Sequence, residues 1–224
     1  MADTLSTIQT KIAVLVDQTT TAPTAGNAEW ELRRTFINRA IEEWGQAYNW
    51  DAMRRISYLS VSGGASIALP GDFRKTAGFP VLYTDGAVTT GEQWPEIQPN
   101  EASGKSSTEK FYYILGNRGE GFTMIWNPGT LTSGASLLLQ YYSFPTSLST
   151  TTSVAPVYDP EYLVDRTVAY IFEMRNDGRF QEVEAKARER LLLMIDNENE
   201  KSRAYRNRVE TPEKLYYNFR IGRD

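Results

Sequence analysis

Apolar residues recur every three to four positions at both ends of this 224-residue chain and every second position through its middle. No fold built from one class of secondary structure accommodates that change of period. At the N-terminal end, Leu5, Ile8, Ile12 and Leu15 mark a short helix over residues 4 to 17, which "QTTTAPTAGN" breaks. Asn27 is placed to cap the next helix, whose stripe is Trp30, Ile37, Ile41, Trp44 and Tyr48. After Arg55 the period falls to two in "ISYLSV", "ASIALP", "FPVLYT", "KFYYIL", "FTMIWN" and "SLLLQYYS", a pattern of antiparallel strands in a meander or small barrel. Gly63-Gly64 and "GNRGEG" lie between runs, where glycine supplies the positive φ of tight hairpins.

"FPTSLSTTTSVAPVYDPEY" reads as a surface connector back to helix. Asp159-Pro160 then starts a third helix, since aspartate caps free amides and proline at the first position loses no bond. "NDG" ends it near Arg175. A fourth helix, from 179 to about 201, carries Phe180, Val183, Ala187, Leu191 and Met194 on one stripe, with Glu182–Lys186 and Glu184–Arg188 outside, each pair worth ~0.3 kcal/mol. "DNENEK" reads as its fraying end, and the adjacent Glu42 and Glu43, about 100° apart on a helix, as a solvated face.

Composition narrows the chemistry. The chain has no cysteine and no histidine, which removes Ser-His-Asp triads, Cys-His pairs and ordinary zinc sites. No cofactor or metal motif is present, so no enzyme is expected; catalysis by two carboxylates or a Ser-Lys pair is the residual route. No apolar run approaches the roughly 18 residues of a membrane span, and "MADTLSTIQTKIAVLV" lacks the marks of a secretory leader, so a protein made in the cytoplasm is expected.

Charge is unevenly placed. Residues 201 to 224 carry seven bases and three acids, a net +4, which leaves −8 on the rest of a chain whose total is −4. Arginine and aromatics interleave there in "RAYRNR" and "KLYYNFRIGR", a mixture suited to docking in a protein groove and to stacking on bases. Glu210, Pro212 and Glu213 interrupt the charge and favour protein contact; packing on the chain's own domain is the third possibility.

The order of segments resembles the head-to-tail adaptor proteins of tailed double-stranded DNA bacteriophages, including the tail tubular A proteins. The residues that carry the likeness are "NRAIEEWGQAYNWDAMRR", "IALPGDFRK", "PVYDPEYLVDRTVAYIFEM" and "EVEAKARERLLLMIDNENEK". The resemblance implies an α+β protein with a helical bundle formed by both chain ends, an inserted antiparallel β domain and an extended C-terminal arm. Its segments would be 1–53, 54–145, 146–202 and 203–224.

It further implies a homo-oligomeric ring, usually a dodecamer, in the virion neck between the portal protein and the tail or nozzle proteins. Double-stranded DNA would pass through its lumen without sequence-specific binding. Arg203, Tyr205, Arg206, Arg208, Tyr216, Tyr217, Phe219 and Arg220 would form the portal-binding arm. Trp30, Trp44, Tyr48 and Trp50 would form a structural joint, with Trp50 at the entry to the β insertion and Arg54 and Arg55 pointing outward. Two other readings stay open: a β-rich tail or fibre module that binds glycans through Trp94 and Trp126, and a nucleic-acid-binding protein.

Overall fold

A computed structural model describes residues 3–78, 81–83, 91–127 and 134–220, with the backbone alone for 81–83 and 202–220. In chain order the elements are α1 (Leu5–Asp17), α2 (Ala28–Ala47), β1 (Arg54–Ser60), β2 (Ser66–Ala68), β3 (Phe73–Thr76), β4 (Val81–Tyr83), β5 (Gly91–Gln93), β6 (Tyr112–Asn117), β7 (Gly121–Trp126), β8 (Ser136–Ser143), α3 (Pro160–Met174) and α4 (Phe180–Arg220). Short 3-10 turns precede β1 and follow β5. The chain divides into a helical unit, residues 1–48 with 145–224, and a β unit, residues 49–144. The expected α+β class holds, with helices from both termini and the strands between them.

In the helical unit each helix begins where side-chain chemistry lets it. The Thr4 hydroxyl accepts from the Thr7 amide, Asn27 Oδ1 from the Trp30 amide at 2.8 Å, and Asp159 Oδ1 from the Glu161 amide at 3.1 Å. α3 is buried on nearly every face, from Tyr162 to Phe172, and is the centre of the unit. α1 buries Leu5, Ile8, Gln9, Ile12 and Ala13, while Leu15, expected on that stripe, is exposed. Asn176, at φ 55°, ends α3 in the left-handed conformation that asparagine tolerates. The connector does more than cross the surface: the Leu5 amide donates to Ser153 O at 2.8 Å, and Leu148 is buried with its amide on Asn38 Oδ1 at 2.7 Å.

α4 runs on to Arg220, past the end expected near Lys201. Neither glycine nor proline occurs between Gln181 and Thr211, so nothing in that stretch stops a helix once it is nucleated. "DNENEK" is therefore continuous helix rather than its fraying end.

The β unit is neither a meander nor a barrel. It has a five-stranded antiparallel sheet, β1-β8-β4-β5 with β3 also on β8, and a three-stranded sheet, β2-β7-β6. The last strand is the central one: β8 pairs β1 on one side and β3 and β4 on the other. Trp94, Trp126, Tyr112, Phe73, Leu137 and Leu139 fill the core. "GNRGEG" does join β6 to β7 as a hairpin, with Gly116 at φ 120° and Gly121 at φ 88°. A Cβ on Gly116 would lie 2.1 Å from Gly121 O, so only glycine fits there. Gly63 and Gly64 instead lead from one sheet to the other, because β1 pairs β8 and β2 pairs β7.

Candidate interaction surfaces and the charged interior

Three of the four aromatics of the predicted joint lie in the helical unit. Trp30 and Trp44 are buried on α2, and Tyr48, half-buried just past its end, donates its hydroxyl to Asn199 Oδ1 of α4 at 2.7 Å. Trp50 is buried at the start of the β unit, immediately before the turn into β1. Arg54 and Arg55 are exposed. A tryptophan at such positions buries a large area, which is an architectural contribution.

The interior of the helical unit holds charge that the sequence reading assigned to solvent or missed. Glu43 is not on a solvated face. Its carboxylate accepts from Arg166 Nε at 2.8 Å and from the Tyr170 hydroxyl, and Arg166 also reaches Glu184 at 3.3 Å. Burial pushes the Glu43 carboxyl up, but the bonds from Arg166 and Tyr170 outweigh it and hold the group below its usual value. Asp165 on α3, buried, is gripped from α4 by Arg190 Nε at 2.7 Å and Lys186 Nζ at 3.1 Å. Lys186 thus pairs with Asp165 instead of the expected Glu182, while Glu184–Arg188 forms as expected at 2.7 Å. Arg33, also buried, joins Glu29 at 2.8 Å and Asp17 at the end of α1. One signal for this interior was available: an aspartate inside the apolar run "YLVDRTVAYIF" must be paired if the helix is buried.

The depressed Glu43 carboxyl gives an acid-limb prediction. A group whose folded value is lowered contributes stability that is fully present above its unfolded value, here 4.5, and is lost as pH falls through the folded value. The parent should exceed Glu43→Gln in stability by about 1–2 kcal/mol at neutral pH. Urea titrations from pH 7 to pH 3 should show that gap constant down to about pH 4.5 and closing below it; a gap independent of pH refutes the assignment.

One expectation about ligands is overturned. Trp94 and Trp126 are each 1% exposed in the β core, so neither can offer a stacking platform to a glycan, and that reading is withdrawn. Among the described residues no group of acids, histidines or cysteines could hold a metal ion, and no helix is long and apolar enough to cross a membrane. The predicted arm residues Arg203, Tyr205, Arg206, Arg208, Tyr216, Tyr217, Phe219 and Arg220 stand on the helical backbone of α4, and their side chains lie outside the described residues. The exposed apolar side chains include Leu192 and Leu193 on α4, Tyr158 before α3, and Ile56 and Tyr58 on β1. An open groove of about 380 Å³ runs beside Leu193, lined by Tyr158, Asp159, Arg190 and Met194.

Apolar side chains exposed on the surface are candidates for contact with other proteins. The family comparison decides which association: the model of the SU10 adaptor proteins matches residues 3–212. The chain belongs to the SU10 adaptor family. It is a structural protein of the phage head–tail junction, and its partners are the portal and tail proteins of the virion. No curated protein matches the chain. Within the helical unit of this adaptor, the paired charges fix helix against helix.

Proposed function

We propose that this adaptor closes the DNA-filled head as a homo-oligomeric ring, dodecameric as in similar adaptors, seated on the portal and carrying the tail. The observation that carries the reading is α4: one helix that is packed on α3 through Asp165 continues into the basic, aromatic segment 203–220. A helix of 41 residues spans about 60 Å, long enough to present its distal half to another protein. The net −8 of the remaining chain suits a lumen through which DNA slides, because a basic wall would hold phosphates. In this reading Trp30, Trp44, Tyr48 and Trp50 serve as the structural joint.

Deleting residues 203–224 should weaken binding to the portal protein of the same phage at least a hundredfold, measured by interferometry with the full-length chain as reference. Circular dichroism should show that the remaining helical unit is intact. Undiminished binding would remove the arm from the portal interface. If the deletion instead abolishes a strongly salt-dependent affinity for DNA, with portal binding unchanged, the arm is a nucleic-acid contact.

A further inference from the structure

Three strands of the five-stranded sheet have a single neighbour among the described residues, β1, β3 and β5. β1 is seven residues long, with Ile56 62% and Tyr58 66% exposed on one face, and it has no proline. An edge of this length and character is a template for another strand unless something covers it. Its free hydrogen-bonding groups can be assigned. The Val61 amide donates to Ala135 O at 2.8 Å, so by the alternation of an antiparallel ladder Leu59, Ser57 and Arg55 face β8, while Ser60, Tyr58, Ile56 and Arg54 face outward.

We propose that the β5 edge of a second copy of this chain covers β1, so that the five-stranded sheets of neighbouring copies run into one another. Three observations select this occupant. Strand directions alternate across β1-β8-β4-β5, so β5 runs antiparallel to β1, and a like-oriented neighbour continues the alternation at the joint.

The rows also match. Tyr58 lies opposite Leu138, Leu138 opposite Val81, and Val81 opposite Gln93, which places Tyr58 and Gln93 at one level on the two edges. Carried along the antiparallel joint, that row sets Leu59 against Glu92 and Ser60 against Gly91; past Gln93 the chain leaves the edge, and Glu96 bridges Tyr112 of β6.

Charge is the third. The stretch "GEQWPEIQPNE" that begins with β5 has three acids and no base, with Glu92 held by Lys110 at 2.5 Å and Glu96 by the Tyr112 hydroxyl at 3.1 Å, whereas β1 opens on two exposed arginines. The contact is heterologous, one edge meeting a different edge, and such contacts build rings where the rotation between copies closes and open filaments where it does not. The inference rests on the ring reading and supplies its lateral contact.

Because the chain has no cysteine, engineered thiols report contacts without background. Tyr58→Cys and Gln93→Cys, both at exposed positions, would bring Cα atoms to about 5.5 Å across the joint, within disulfide range. Under mild oxidation a mixture of the two single variants should give a covalent dimer, and the double variant a ladder of covalent oligomers in denaturing gels. Tyr58→Pro, which removes an outward-facing amide from the β1 edge and leaves the bonds to β8 in place, should reduce assembly at least tenfold by mass photometry.

A ring that forms but shows no 58–93 cross-link overturns the inference while leaving the ring reading in place. Dimers from Tyr58→Cys alone would mean that β1 meets β1, and they overturn it as well. A chain that stays monomeric and uncross-linked at high concentration overturns both. Tyr58→Pro assembling like the parent also refutes the proposed joint.

Discussion

Trp44→Ala should lower the stability of the helical unit by about 3–5 kcal/mol, the usual cost of truncating a fully buried tryptophan. Trp44 is completely buried, on the α2 stripe that also buries Ile37 and Ile41. Removing its ring takes away both the transfer free energy of a large apolar surface and the contacts of the atoms that lined it. The neighbouring position tightens the site further: a Cβ on Gly45 would come within 2.7 Å of the Pro145 ring, so the chain has little freedom to collapse into the hole. Scanning calorimetry should show the midpoint lowered by roughly 10 °C. Trp44→Phe should recover more than half of the loss, and a change in Trp44→Ala below about 1 kcal/mol would contradict the packing described.

The second large effect concerns Asp165. The double substitution Lys186→Met and Arg190→Met should cost about 3–5 kcal/mol, because it leaves a buried carboxylate without a partner. Burial by itself lowers Arg190, yet its bonds to Asp165 and Asp159 hold the guanidinium above its usual value, so the charge is firmly kept. Replacing the acid alone is the milder insult. Lys186 is more than half exposed and Arg190 still has Asp159 at 3.1 Å, so Asp165→Leu strands no cation. Adding Asp165→Leu to the double variant should therefore bring stability back to within about 1–2 kcal/mol of the parent, as when a buried ion cluster is exchanged for apolar residues. Urea denaturation of the four proteins completes the comparison; a triple variant no more stable than the double would show that the cluster acts through packing rather than charge.

Local signals were legible and partner choice was not. Asn27 and Asp159-Pro160 announce helix starts through bonds within four residues of themselves, and the α3 boundary at "NDG" is equally local. The fold class followed from where the hydrophobic period changes. β8 shows the limit: "SLLLQYYS" reads plainly as a strand, but its alternation states only which side chains point inward, not that β1, β3 and β4 all pair with it. β3 and β5, four and three residues long, are too short to show a period at all. The glycan reading failed for a related reason, since tryptophan content cannot tell an exposed platform from a core, and Trp94 and Trp126 are core.

The charged interior was hidden differently. Glu43 beside Glu42 has the composition of a solvated face, and its partners Arg166 and Tyr170 lie more than a hundred residues away. The adaptor role, by contrast, was legible in the order of segments, and the family match over residues 3–212 bears it out.

The adjacency of β1 and β8 bears on how the chain folds. α1 and α2 leave the ribosome long before α3 and α4, and closing so large a loop of unfolded chain costs several kcal/mol of entropy, growing with the logarithm of its length. The β unit is complete once β8 is made, before any of α3 exists, and pairing Arg54 with Tyr142 draws the two ends of the insertion together. A folded insertion turns a long loop into a short one, so the two halves of the helical unit meet with much of that entropy already lost.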